Sequence, residues 1–132
     1  MTKQVRLLLV DDPGEYSTAI SEQVDLCKHE FDIDIKVVPS EANLMDEVKS
    51  WGATVVLMDP LAYGTRGMDI LGLVSSASCE VIALSQGRTP EIEATLKRSG
   101  AVACVQVTDD PDDLHNLLQR IADLAPELKL VQ

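Results

Sequence analysis

The strongest constraint on the fold is an alternation. Five short apolar runs, at residues 5–10, 31–38, 54–58, 81–84 and 102–107, are separated by amphipathic stretches. Near-continuous apolar runs of strand length suit parallel strands, because helices cover both faces of a parallel sheet. The second run alternates in part, with Ile33, Ile35 and Val37 pointing one way and charged residues between them. None of the runs approaches the roughly 20 apolar residues of a membrane-spanning helix.

The stretches between the runs carry helical spacing and helix punctuation. Tyr16, Ile20, Val24 and Cys27 fall on one face of the first. The second is predicted to open at Ser40 as N-cap, to present Leu44, Val48 and Trp51, and to close at Gly52. The third follows Gly67 and presents Met68, Leu71 and Val74. The fourth has Thr89 as N-cap, Pro90 at the first helical position, Ile92 and Leu96 on its inner face, and a stop at Gly100. The fifth has Asp110 as N-cap, Pro111 next, and a stripe of Leu114, Leu117, Leu118, Ile121 and Leu124. The sum is an α/β chain, (βα)5, with a doubly wound parallel five-stranded sheet joined by right-handed crossovers. Residues 1–125 are expected to form one domain, with 126–132 as a C-terminal tail or the start of a linker.

Aromatic residues are only 3% of the 132, so the core has to be assembled from Val, Leu, Ile, Ala and Met. The formal net charge of −11 repels nucleic-acid phosphates and anionic membrane surfaces, which argues against both as direct partners. It suits metal cations or basic protein surfaces, or serves solubility alone. Cys27, Cys79 and Cys104 are odd in number and form no metal-ligand spacing, so reduced thiols packed as small hydrophobes are expected. Reduced thiols, together with Lys3 and Arg6 leading straight into a strand-length run and two acids, point to a cytoplasmic protein without a leader peptide.

Doubly wound sheets place their sites at the carboxyl ends of the strands, near the topological switch point. There the chain carries Asp11 and Asp12 after the first strand, Asp59 after the third, Ser85 after the fourth, and Val107 and Thr108 at the fifth. Crowded carboxylates repel one another, and a divalent cation relieves the repulsion; oxygen donors favour Mg2+ or Ca2+. Taken singly, Asp12-Pro13 also reads as a helix N-cap and Asp59-Pro60 as a strand-ending turn. Their joint occurrence at matched strand ends, with Ser85 in the same layer, favours a pocket.

Val10-Asp11-Asp12, the run from Val55 into Asp59, Gly67 eight residues beyond it, Val81-Ile82-Ala83-Leu84-Ser85, Gly100-Ala101 and Asp110-Pro111 follow one another in an order and spacing that resembles the receiver domain of bacterial response regulators. The resemblance spans nearly the whole chain and implies the flavodoxin-like, CheY-like fold. It implies that Asp59 is the phosphoacceptor. Asp11 and Asp12, with Asp59 and the backbone carbonyl of Leu61, would hold Mg2+. Ser85 would be the switch hydroxyl, and the backbone N–H groups of Leu61 and Gln86 would cradle the phosphoryl oxygens. The chemistry implied is in-line phosphoryl transfer to a carboxylate, a phosphorelay step of a signalling protein rather than of an enzyme. The partners implied are a sensor histidine kinase or phosphotransfer protein, an output domain or partner protein, and a second copy of the chain.

The chain departs from that family at several positions. Val107 stands where the family has a lysine, and no lysine lies between Arg98 and Arg120 to replace it. A charge-assisted hydrogen bond of the kind lost is worth roughly 1.5–3 kcal/mol. Gln86 replaces a small residue and either crowds the pocket or hydrogen-bonds into it. Tyr63 replaces a proline. The aromatic residue of strand five is replaced by Cys104, or by Val105 if the register shifts by one. Arg88 is either a solvated loop arginine or a substitute positive charge. Two functions stay open: a phosphoacceptor with altered output, favoured by the three acids and the hydroxyl, and a pseudo-receiver that acts as a phosphorylation-independent interaction module, favoured by the missing lysine and aromatic. A flavodoxin-type electron carrier, a cobalamin domain and a haloacid-dehalogenase-type phosphatase fit less well. The first would need a glycine- and hydroxyl-rich loop where two acids stand. The second would need a loop histidine, whereas His29 and His115 sit in helical stretches. The third would need Asp-x-Asp.

Overall fold

The computed structural model of the chain describes residues 4–10, 17–39, 43–60, 66–77, 79–84, 89–106 and 110–124. Strands and helices alternate: β1 (Gln4–Val10), α1 (Ser17–Leu26), β2 (Asp32–Val38), α2 (Leu44–Trp51), β3 (Val55–Met58), α3 (Gly67–Ser75), β4 (Glu80–Leu84), α4 (Pro90–Arg98), β5 (Ala103–Val105) and α5 (Pro111–Leu124). All strand pairs are parallel, in the order β2-β1-β3-β4-β5. The expected (βα)5 sheet is therefore present, and the direction of winding reverses between β1 and β3.

Alternation along β1 divides the core. Leu7 and Leu9 point to one face, where they pack with Ile20 and Val24 of α1 and with Leu118 and Ile121 of α5. Leu8 and Val10 point to the other, with Val48 of α2, Leu71 and Val74 of α3 and Leu96 of α4. β3 is buried along its whole length, with Val55 and Leu57 on the first face and Val56 and Met58 on the second. Full burial of such a side chain contributes about 1.5–3 kcal/mol. The expected stripes of α3, α4 and α5 face inward, with Met68, Ile92 and Leu124 only partly buried. In the first helix Ile20 and Val24 face inward, as does Cys27 in the turn that follows it, and Tyr16 lies outside the described residues.

Three expectations are corrected. The N-cap of α2 is Asn43, not Ser40: the Asn43 side chain accepts the Asp46 N–H at 3.3 Å, and Ser40 is outside the described residues. His29 lies in a turn and not in a helix, because α1 ends at Leu26 and the Glu30 and Phe31 N–H groups both bond the Cys27 carbonyl. Val37 shares the face of Ile33 and Ile35 in the unbroken strand but is 42% exposed near its end, while Val38 is buried on the opposite face. β5 is the short strand Ala103–Val105. Val102 precedes it and bonds Val81 through its N–H, and Val107 is outside the described residues.

The remaining punctuation holds. Gly52 ends α2 in the left-handed region, at φ 75°, where a side chain would be strained. Thr89 caps α4 by accepting the Ile92 N–H at 3.2 Å, and Asp110 caps α5 by accepting the Asp112 N–H at 2.9 Å. Thr89→Ala is expected to cost about 1 kcal/mol, measured as a lower urea midpoint with an unchanged slope. All three cysteines are buried and unpaired with one another. Cys79 donates to the Val74 carbonyl at 3.2 Å, and burial, with Glu80 beside it, pushes its thiol pKa up. Less thiolate is then present at any given pH. Iodoacetamide at neutral pH is accordingly expected to modify Cys79 only after the protein is unfolded, as read by peptide mass mapping.

Candidate functional site

Asp59 is the first residue beyond β3, and β3 is the middle strand of the sheet. Its side chain is half-buried, between the fully buried Met58 and the buried Pro60. The Asp59 backbone is thus flanked by buried residues on both sides while its side chain stays partly accessible. The register fixes its neighbours: Leu9 of β1 is level with Leu57, and Met58 is level with Ala83 of β4. Leu84 is in turn level with Val105 of β5. Asp59 therefore stands beside the carboxyl ends of β1 and β4, on the β1 side of which the winding reverses, where ligands of doubly wound sheets are bound.

Of the other residues singled out by sequence, Asp11, Asp12, Leu61, Tyr63, Ser85, Gln86, Arg88, Val107 and Thr108 lie outside the described residues. Counting along the chain, Asp11 follows Leu9 by two residues, as Asp59 follows Leu57, and Ser85 follows Leu84 directly. Among the described residues no three His, Cys, Asp or Glu side chains gather as metal ligands, and Asp59 is the described member of the expected set. Its hard oxygen donors suit Mg2+ and not a thiophilic metal.

Pro60, the residue after Asp59, lies close against Gly67. A Cβ added to Gly67, the first residue of α3, would lie 2.7 Å from the Pro60 carbonyl carbon and closer still to its oxygen. Glycine is required here by close approach, not by an unusual φ. Gly67→Ala is expected to displace the Pro60 peptide, and Asp59 with it, and to lower stability by about 1–3 kcal/mol, measured by chemical denaturation.

Cys104 is buried on β5 and packs against the α3/α4 side of the sheet, with its Sγ 4.0 Å from the Glu93 carbonyl. Val105 is partly buried toward the other face. Cys104 lines a groove of about 440 Å3 between α4 and α5, together with Val105, Leu117, Glu93, Asp113 and Arg120. Sequence patterning did not reveal this groove, because its polar walls come from two helices whose separation no periodicity encodes. His115, on α5, is half-buried, 2.7 Å from Glu30, with its ring 5.5 Å from that of Phe31. It links the turn before β2 to α5.

The backbone is close to that of several solved structures. The signal receiver domain of a DNA-binding response regulator from Colwellia psychrerythraea 34H superposes with a TM-score of 0.74, at 18% identity, over 91% of this chain and 99% of that one. The response regulator domain of CheB from Thermotoga maritima gives 0.69 at 18% identity, over 94% and 100%. The chain has the receiver fold. The beryllofluoride-activated receiver domain of DrrB also matches, with a TM-score of 0.68 at 20% identity, over 92% and 99%. No family model and no curated protein matches this receiver-fold chain by sequence. Among its described residues no helix is long and apolar enough to cross a membrane.

Proposed function

We propose that this receiver-fold chain accepts a phosphoryl group on Asp59 and signals through protein–protein contacts. The observation that carries the reading is the place of Asp59: a half-buried carboxylate at the carboxyl end of the central strand, beside the ends of β1 and β4. In the transfer, an Asp59 carboxylate oxygen attacks the phosphorus of a phosphohistidine on a sensor kinase or phosphotransfer protein. The new P–O bond forms as the P–N bond breaks, and the imidazole leaves with the electron pair and takes a proton from water. Asp11, Asp12 and the Leu61 carbonyl, with Asp59, would hold Mg2+, which neutralises charge on the phosphoryl oxygens when bound. Ser85 would donate its hydroxyl to one phosphoryl oxygen, and the N–H groups of Leu61 and Gln86 would take the others. A phosphorelay of this kind belongs in the cytoplasm.

A second reading is a phosphorylation-independent interaction module. It is favoured by strand five, where the receiver resemblance expects an aromatic residue and the chain has the buried thiol of Cys104, or Val105 with a one-residue shift, and by Val107 in place of lysine. The two are separated by incubating the protein with Mg2+ and acetyl phosphate and measuring its intact mass. A gain of one phosphoryl group that hydroxylamine removes, as expected of an acyl phosphate, supports the first reading. An unchanged mass under conditions that phosphorylate a competent receiver supports the second.

A further inference from the structure

Two close contacts hold α3 at its ends. At the amino end, Gly67 and Pro60 are both buried, and there is no room between them for a Cβ. Pro60 follows Asp59 directly, and its ring fixes φ, so its peptide has little freedom to yield. At the carboxyl end, a Cβ on Gly100 would lie 2.7 Å from the Ser75 Cβ and closer to its Oγ, and Gly100 itself sits at φ 126°. A Cβ added to Gly72 would lie 3.6 Å from the Ser99 carbonyl oxygen, an ordinary van der Waals distance. Ser99 and Gly100 form the connection from α4 to β5, held by N–H bonds from Ser99 to Thr95, from Gly100 to Lys97 and from Ala101 to Leu96. Eight helical steps of about 1.5 Å set the two contacts about 12 Å apart.

Between them the helix has no slack. Leu71 and Val74 are fully buried, in one cluster with Val81, Ala83 and Leu96. A core packed to this density transmits a shift instead of absorbing it.

We infer that α3 is a strut that carries a displacement at Asp59-Pro60 to the α4–β5 connection at Ser99-Gly100. As a route for a phosphoryl signal it rests on the function proposed above; as a mechanical coupling it is tested in the unmodified protein. The route does not pass through strand five, so it needs neither a lysine at Val107 nor an aromatic at Cys104. Gly67 and Ser75 are its positioning residues.

The test compares amide NMR spectra of the wild type, Asp59→Asn and Gly67→Ala, each with and without Ser75→Ala. Asparagine changes the charge at position 59 and not the size, so it serves even where Gly67→Ala fails to fold. The strut predicts that Asp59→Asn shifts the amides of Ser99, Gly100 and Ala101 as well as those of Met58 and Gly67, and that Ser75→Ala shrinks the distant shifts while leaving the near ones. Shifts that end by Leu71 overturn the inference. So do distant shifts that Ser75→Ala leaves unchanged, since those travel through the field or the sheet. Fluorine-19 NMR with Mg2+ and beryllofluoride separately reports whether the pocket binds the phosphoryl mimic, so a failure of the proposed function is read apart from a failure of the strut.

Discussion

Asp59→Asn is expected to abolish phosphoryl uptake from acetyl phosphate while leaving the far-ultraviolet circular dichroism of the protein unchanged. The carboxamide has nearly the volume of the carboxylate, so the strands and helices that circular dichroism reads are kept. It lacks the nucleophilic oxygen anion, and no acyl phosphate can form on it. The loss is therefore of the whole reaction and not of a fraction of its rate. Intact-mass measurement under the conditions that label the wild type checks it. Labelling that persists in the variant would move the acceptor to another carboxylate, with Asp11 and Asp12 the first to be replaced in turn.

The largest stability effect is expected at Leu57. It is fully buried in β3, level with Leu9 on one side and Ile82 on the other, and it belongs to the cluster that α1 and α5 cover. Leu57→Ala removes the transfer free energy of the lost carbons and leaves a cavity that flanking strands cannot close. Substitutions of this kind cost about 2–5 kcal/mol. Against a total of about 5–15 kcal/mol that is a large share. For a domain of this size it corresponds to a fall in Tm of roughly 10 °C. Val37→Ala is the control: at 42% exposure on the edge strand it is expected to change stability by no more than about 0.5 kcal/mol. Urea unfolding of the three proteins decides between a core organised around β3 and one that is not.

The sheet was legible because burial on both faces leaves a mark that short-range patterning carries. Leu7-Leu8-Leu9 and Val55-Val56-Leu57-Met58 are apolar without interruption, and each side of each strand meets its own layer of helices. Caps were legible where a side-chain oxygen stands next to proline, as at Thr89-Pro90 and Asp110-Pro111. They were misread where several candidates follow one another: Ser40 and Asn43 are both good N-caps, and only the point at which Leu44 turns into the core selects Asn43. His29 was misread because the spacing of Val24 and Cys27 continues past the last helical bond of α1. The place of Asp59 could be inferred from strand order alone, since a carboxylate after the central strand of a doubly wound sheet has one destination. The closeness of Gly67 to Pro60 and of Gly100 to Ser75 could not, because a glycine required by a neighbour's atoms looks in sequence like a glycine required by φ.

The central claim is that Asp59 anchors a metal-dependent phosphoryl pocket, and amide NMR tests it most directly. Spectra are recorded with Mg2+, then with Mg2+ and beryllofluoride, beside Asp59→Asn treated in the same way. The account predicts that Mg2+ shifts resonances around Asp11, Asp12 and Asp59, that beryllofluoride extends the shifts to Ser85 and Gly67, and that the variant loses the beryllofluoride response. Spectra of the wild type that neither addition changes would contradict it, and would leave the receiver fold serving as a binding module alone.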